Sequence, residues 1–420
     1  MQIKFPLQAL AVLSLAPLAA AQGSPFQTPG MPRSPQAAPP AEGASGAGTG
    51  QADRFTSGFN PAFSFIVDAL GEYTQFSDST ETDGVAMDLR ILELASQAWV
   101  DPSAWAYFVG ATDGEALAIE EAAVHYKGFG GNRTLRVGRF FIDFGKQMQV
   151  HPHELRTVDR PLALRAYLGE EVKGDGLQWD SWAPLGDETA VRWSFGAFKS
   201  LLPEEAAFAN TDGAGEPITY SAADRKDVED LNFTARVTGF RDVGERGILQ
   251  LGASLRALPD YEAADSSGLT RSGLSNNVFG ADATYGLSDE TGQKRLTLGT
   301  EVLLNTGDTA AVFADPDNTP NTGDEFLDRV DDPGLGLLAF ADYAWSLSDS
   351  AGVQYSQAEL PDGNETLARE LEVYYTRALS EFHRVRFAVT AFDSETDSDS
   401  LRFAIQYTAF VGAHGHGVNW

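Results

Sequence analysis

The 420-residue sequence contains no cysteine, so neither a disulfide bridge nor a lipid-modified cysteine can hold the protein in place. Basic residues are also scarce, because 30 Lys and Arg stand against 60 Asp and Glu, for a formal net charge of −30. Binding to nucleic-acid phosphates needs a concentrated basic surface, and this charge therefore argues against a nucleic-acid partner. Beyond residue 21 the sequence lacks a run of the roughly 20 apolar residues that a membrane-spanning helix requires.

The N-terminus contains the three parts of a secretory signal peptide. Lys4 gives a short basic region, an apolar run extends from Phe5 to Leu18, and small residues end at Ala21. The sequence therefore predicts export and removal of residues 1–21. For an exported chain without cysteine or a spanning helix, two classes remain: a soluble periplasmic protein and a transmembrane β-barrel.

The segment that follows, residues 22–55, is rich in Pro, Gly, Ala and Ser. Such a segment cannot bury enough apolar surface to offset the entropy lost on ordering. We interpret it as a disordered periplasmic linker. Residues 56–420 are the predicted folded domain.

Segments of about ten residues with alternating apolar and polar side chains recur between residues 63 and 411. In the last of them Phe403 and Ile405 share one face, while Arg402 and Gln406 share the other. This period is typical of a strand with one apolar and one wet face. About sixteen such segments predict an all-β fold.

The connections between these segments are alternately short and long. The long ones are 145–175, 200–228, 258–276, 305–334 and 393–399. Outer-membrane barrels join strands by short periplasmic turns and longer external loops, whereas a soluble sandwich has no reason to alternate them. We expect an antiparallel up-and-down transmembrane β-barrel in the outer membrane of a Gram-negative-type bacterium, in contact with lipid and lipopolysaccharide. The terminal Trp420 is typical of chains that the barrel assembly machinery recognises.

The third long external connection, 145–175, is the predicted functional loop, because sixteen-stranded porins fold their third external loop into the channel. Its length and its apolar residues favour a packed loop over a disordered one. We expect it to narrow the pore. The predicted constriction residues are Lys146, His151, His153, Arg156, Asp159, Arg160 and Arg165.

The wet faces of several strands carry charged residues that alternation directs into the lumen. The predicted lumen-facing residues are Arg192, Arg236, Arg256, Arg295, Arg384, Arg386, Arg402, Glu301, Glu370 and Glu372. Arginines that line a pore favour anions, so an anion preference is one hypothesis. The alternative is that the carboxylates, with Asp282, pair with the arginines across neighbouring strands.

Metal and catalytic motifs are the remaining candidates. His151 and His153, and also His414 and His416, could each supply two zinc ligands, but zinc needs three or four, and the sequence has neither cysteine nor an H-E-x-x-H motif. We therefore predict no metal site and no cofactor. A nucleophile elbow and a glycine-rich phosphate loop are also missing, so we do not expect an enzyme.

The stretch Val137-Gly-Arg-Phe-Phe-Ile-Asp-Phe-Gly145, followed by His151-Pro-His153 and Asp159-Arg-Pro161, resembles porin-like outer-membrane proteins related to the phosphate-selective porin O and P group. Some of those proteins are labelled zinc-regulated TonB-dependent receptors. The resemblance implies a single-chain barrel, often a homotrimer, that passes small solutes or ions. The function hypothesis is thus a porin-like channel for small hydrophilic solutes. The alternatives are a substrate-specific or metal-linked receptor barrel, and a structural or adhesive barrel without an open pore.

Overall fold

The computed structural model describes residues 62–78, 81–114, 116–202, 218–222, 227–313, 326–361, 366–395 and 398–412. The predicted signal peptide and linker, as well as His414, His416 and Trp420, lie outside the described residues. Almost every described segment is a strand, in agreement with the alternating polarity of the sequence.

Eighteen strands follow one another along the described chain. They are β1 (Ala62–Phe76), β2 (Gly84–Asp101), β3 (Ala104–Thr112), β4 (Ala118–Tyr126), β5 (Arg133–Phe141), β6 (Lys173–Pro184), β7 (Thr189–Phe198), β8 (Thr219–Ser221), β9 (Asn232–Val243), β10 (Gly247–Ala264), β11 (Thr270–Ser288), β12 (Arg295–Phe313), β13 (Phe326–Asp331), β14 (Gly334–Ala344), β15 (Asp349–Glu359), β16 (Leu367–Ser380), β17 (His383–Ser394) and β18 (Ser400–Gly412).

The strands form a closed antiparallel barrel. β1 pairs with β2 on one side and with β18 on the other, so the first and last of the described strands close the sheet. β8 pairs with the far end of β10, and β13 with the far end of β12, while β7 pairs directly with β9 and β12 with β14. Without the short strands β8 and β13, the remaining sixteen strands form the barrel wall, which confirms the predicted strand number.

The two faces of the wall differ sharply in polarity. In β18, Ile405 is 54% exposed on the outside, whereas Gln406 and Thr408 are fully buried on the inside. Phe195 and Leu251 are likewise exposed on the outer face of other strands. A ring of exposed apolar side chains around a polar interior is stable only when lipid surrounds it. The wall is therefore that of a membrane barrel.

The predicted bounds of two long loops are partly wrong. Residues 258–276 were expected to be a loop, but β10 and β11 continue through most of this segment and are joined by the turn at 265–269. β12 likewise extends to Phe313 inside the predicted loop 305–334. The pairing of β10 with β11 shifts register between Leu258 and Tyr261, which interrupts the alternation by which the strand would have been recognised.

The helical parts are short. In the described part of the chain they are α1 (Leu162–Leu168) and two single turns of 3-10 helix at Pro152–Glu154 and Val228–Asp230. Among the described residues, no helix reaches the length and apolarity that crossing a membrane would require. Both α1 and the first 3-10 turn belong to the connection between β5 and β6.

Candidate functional site

The third external connection, residues 142–172, leaves β5 and folds into the barrel; we call it loop 3. Its first turn needs a glycine at Gly145, whose φ is +55°, and whose backbone amide donates a hydrogen bond to Ser254 Oγ at 3.1 Å. The amides of Lys146 and Gln147 donate to Glu301 Oε1 at 2.9 and 3.1 Å. Since Ser254 lies on β10 and Glu301 on β12, the loop has left β5 and reached a distant part of the wall.

The middle of loop 3 contacts the wall formed by the last strands. Arg386 on β17 donates to the carbonyl oxygens of Leu155 at 2.5 Å and Thr157 at 2.7 Å. The amide of Val158 donates to Glu372 Oε1 on β16 at 2.9 Å. These contacts fix the backbone of the loop against β16 and β17.

Asp159 ties the same part of loop 3 to the point where the barrel closes. Its carboxylate pairs with Arg90 on β2 at 3.4 Å and with Arg402 on β18. Burial alone would raise the pKa of Asp159, but Arg402 and Arg90 outweigh burial and hold this pKa below its usual range. Asp159 is therefore a charged anchor of the loop.

Helix α1 packs loop 3 onto β14 and β15. Leu164 and Leu168 are fully buried in the apolar cluster under the loop. The hydroxyl of Tyr167 donates to the carbonyl of Glu359 at 2.8 Å, and the side chain of Arg165 pairs with Glu370 on β16. The loop thus crosses the lumen and contacts several parts of its wall.

Arg160 holds loop 3 together internally. The side chain is fully buried, and its Nη2 donates to the carbonyl of Val150 at 2.7 Å, while its other nitrogens donate to the carbonyls of Gln147 and Glu170. Arg160 was expected to line the constriction. The structure places its guanidinium group among three backbone carbonyls of the loop.

A cavity of about 90 Å³ lies beside loop 3, toward the end of the barrel that carries the short turns. Asp342, Ser350 and Arg384 in its wall are close in sequence to the turns 345–348 and 381–382. Four basic and two acidic side chains line it: Lys146, Arg156, Arg384 and Arg386, with Glu154 and Asp342.

Two guanidinium groups in this wall retain hydrogen-bonding capacity. Buried Nε and Nη2 of Arg156 and buried Nε of Arg384 make no hydrogen bond within the described part of the chain. Arg156 also stacks over the Phe340 ring, 4.7 Å from its centroid. Asp342 accepts a hydrogen bond from the hydroxyl of Tyr374 at 3.0 Å. Donors of this kind suit an anion, because a buried guanidinium is costly unless its protons are accepted.

Lys146 is the basic residue of the cavity whose charge depends on pH near neutrality. Burial, together with the guanidinium groups of Arg156 and Arg236, lowers the pKa of Lys146 to about 8. Its Nζ donates to Gln250 Oε1 at 3.2 Å. The positive charge of this wall therefore decreases as the pH rises through 8.

Most other predicted lumen residues are engaged in ion pairs or hydrogen bonds. Arg236 pairs with Asp282 at 2.7 Å, and Arg192 with Asp143 at 2.7 Å. Arg256 is fully buried and donates to Asn276, while the side chain of Arg295 is partly exposed. The three predicted carboxylates, Glu301, Glu370 and Glu372, all contact loop 3, and Glu372 also accepts a hydrogen bond of 3.3 Å from Thr390 on the neighbouring strand β17.

The side chains of His151 and His153 do not line the cavity but approach Glu93 on β2, and that of His151 also approaches Glu121 on β4. Glu93 Oε2 is 3.4 Å from Nδ1 of His151 and 3.3 Å from Nδ1 of His153, and Glu121 Oε1 is 3.0 Å from Nε2 of His151. Glu93 and Glu121 are not among the site residues predicted from the sequence. Strict alternation does not direct them inward, because the pairing shifts register at Arg90 in β2 and at Glu120 in β4, shortly before each of these residues.

Comparison with known proteins agrees with this architecture. The solved high-pH structure of OprB from Pseudomonas putida matches with a TM-score of 0.55, over 84% of this chain and 94% of that chain, at 11% identity. An anion-selective porin from Comamonas acidovorans matches with a TM-score of 0.51, over 84% of this chain and 99% of that chain, also at 11% identity. The chain has the fold of an outer-membrane porin. No protein-family model and no curated protein matches the sequence.

Proposed function

We propose that this outer-membrane barrel is a porin-like channel for passive diffusion of small hydrophilic solutes, and that loop 3 is its constriction. The observation that carries the proposal is the course of loop 3, which is anchored to β12 through Glu301 and to β18 through Asp159. A loop held at such separate points of the wall restricts the cross-section of the lumen. The shape of this constriction is set by Lys146, Arg156 and the segment that contains His151 and His153.

We further propose that the channel prefers anions. The cavity beside loop 3 has four basic side chains against two carboxylates, so positive charge is in excess in its wall. Charge of one sign in a narrow passage replaces part of the hydration of an ion of the opposite sign. The name of one protein of the same fold, the anion-selective porin of Comamonas acidovorans, agrees with this preference.

The resemblance to phosphate-selective porins makes phosphate one solute to test. Formation of a homotrimer, contact with lipopolysaccharide and insertion by the barrel assembly machinery belong to the same proposal. Three of the seven predicted lumen arginines are paired with carboxylates, namely Arg192 with Asp143, Arg236 with Asp282 and Arg402 with Asp159. Selectivity therefore depends chiefly on the basic residues of the cavity.

Single-channel recording of the purified protein in planar bilayers tests this function. We expect discrete current steps, and in a tenfold KCl gradient a reversal potential shifted toward the equilibrium potential of chloride. A complete lack of steps, from protein shown to be folded, would favour a structural barrel that loop 3 closes. Steps with a shift toward the potassium potential would leave the channel intact and overturn the anion preference.

A further inference from the structure

A buried cluster of metal-ligating side chains joins loop 3 to the barrel wall beside β2. Glu93 lies on β2, and His151 and His153 flank Pro152 at the start of the 3-10 turn. Their exposures are 0%, 2% and 0%. One ligand atom from each of the three residues lies within 4.8 Å of the others.

Two distances in this cluster match the coordination sphere of a small divalent ion. Zinc binds imidazole nitrogen and carboxylate oxygen at about 2.0–2.1 Å in a tetrahedron, which places neighbouring ligand atoms about 3.3–3.4 Å apart. Oε2 of Glu93 is 3.4 Å from Nδ1 of His151 and 3.3 Å from Nδ1 of His153. Both histidines therefore present the same nitrogen at the required separation from one carboxylate oxygen.

A second carboxylate supports the site from outside. Glu121 Oε1 is 3.0 Å from Nε2 of His151, the ring nitrogen opposite the one that approaches Glu93. The other oxygen of Glu121 accepts hydrogen bonds from the Tyr107 hydroxyl at 2.7 Å and the Phe141 amide at 3.3 Å. A carboxylate that accepts from the distal N–H of a ligating histidine fixes its tautomer and its orientation.

The surroundings of the cluster favour an added cation. The rings of Phe141 and Phe410 lie 4.8 Å from the His151 ring and 6.0 Å from the His153 ring, respectively. Glu93 and Glu121 thus place two carboxylates in a buried, partly aromatic environment. Buried carboxylates are stable there only when a positive charge and hydrogen bonds compensate them.

We propose that Glu93, His151 and His153 form a site for a first-row divalent metal ion of the zinc type, with Glu121 as the positioning residue of His151. Imidazole and carboxylate ligands suit zinc and its neighbours better than calcium or magnesium. Three protein ligands leave a fourth position for water or for another ligand. The ion fastens loop 3 to β2 directly before Glu154 and Arg156, which line the cavity.

Cobalt(II) is the probe, because its visible absorption reports tetrahedral coordination. The full chain carries the substitutions His414→Ala and His416→Ala, so that the C-terminal histidines cannot contribute, and is folded in detergent with Co²⁺ after chelator treatment. We expect one equivalent of Co²⁺ with the intense bands of a tetrahedral site, and displacement of these bands by Zn²⁺. Glu93→Gln and His153→Gln abolish the bands, whereas His383→Gln, a histidine outside the cluster, leaves them unchanged.

A further variant separates a metal site from a fold defect. Glu121→Gln removes the outer carboxylate but no ligand, and we expect it to weaken zinc binding by about 10–100-fold. Folding of each variant is followed by circular dichroism. If the parent chain gives no stoichiometric tetrahedral Co²⁺ signal, or if Glu93→Gln and His153→Gln keep it, the cluster is a set of imidazole–carboxylate pairs only and the proposal is overturned. This result is independent of channel conductance.

Discussion

Glu301 on β12 accepts a hydrogen bond of 2.9 Å from the backbone amide of Lys146, a residue 155 positions earlier in the chain. The same oxygen accepts a second hydrogen bond from the amide of Gln147 at 3.1 Å. A buried carboxylate on the barrel wall thus holds the start of loop 3. Loop 3 begins at the end of β5. Since β12 lies well away from β5 in the strand order, this contact fixes the path of the loop across the lumen.

Substitution of Glu301 tests that anchor. In Glu301→Ala both amides lose their acceptor, and each buried donor left without one costs about 1–3 kcal/mol. We expect a lower free energy of unfolding in urea, and faster hydrogen exchange at Lys146 and Gln147. Glu301→Gln keeps an acceptor, so its stability and exchange rates should lie between those of the parent and those of Glu301→Ala. Glu290→Ala, at an exposed position in a short turn, should match the parent. Unchanged exchange in Glu301→Ala would contradict the anchor.

The turn at Gly145 gives a second, purely steric test. A Cβ at this position would lie 2.3 Å from Glu301 Oε2, in addition to the strain of a φ of +55°. Gly292, with a φ of +69° and nothing within 4 Å of a Cβ, is a matched control that carries the backbone strain alone. We expect Gly145→Ala to lower the thermal midpoint more than Gly292→Ala. Equal losses would show that Glu301 can move aside.

The lowered pKa of Lys146 predicts a pH-dependent selectivity. With a pKa of about 8, Lys146 is charged below pH 8 and neutral above it, so the anion preference should fall between pH 7 and pH 9. Reversal potentials in a salt gradient measure this change. Lys146→Arg keeps the charge throughout the range and should flatten the profile. Parent and variant profiles of equal slope would assign the pH dependence to another group.

The guanidinium groups of the cavity should determine ion preference. Arg156→Gln and Arg384→Gln each remove a positive charge from the wall, and we expect the chloride-to-potassium permeability ratio to fall in each and further in the double variant. Arg377→Gln is the control, because Arg377 is exposed and pairs with Asp349 outside the cavity. A ratio altered equally by Arg377→Gln would indicate a general surface-charge effect.

The barrel wall was predictable because lipid on one side and a polar lumen on the other impose a period of two on each strand. The pattern in β18, with Ile405 outside and Gln406 inside, is the direct consequence. The prediction of strands failed where the period of two is interrupted. Around Leu258 and Tyr261 a register shift interrupts the period, and the segment resembles a loop.

The loop that enters the barrel could be selected from its position and composition, but its contacts could not. Arg160 looks like any basic residue of a pore, yet the fold surrounds it with three carbonyl groups of its own loop. Glu93 approaches His151 and His153 only because loop 3 turns back toward β2. Such pairings depend on tertiary geometry, which neither spacing nor periodicity encodes.

The central claim is that an anion-preferring conduction path runs beside loop 3, and charge placed in the cavity by chemical modification tests it most directly. Because the chain has no native cysteine, an introduced thiol is the single site of modification. Ser350 lines the cavity, and Ser350→Cys offers one thiol there to methanethiosulfonate reagents of either charge. In single-channel recordings we predict that the negatively charged reagent lowers the current and shifts the reversal potential away from chloride, while the positively charged reagent lowers the current without that shift. Currents and reversal potentials that neither reagent changes, on protein shown to be labelled, would contradict a conduction path beside loop 3.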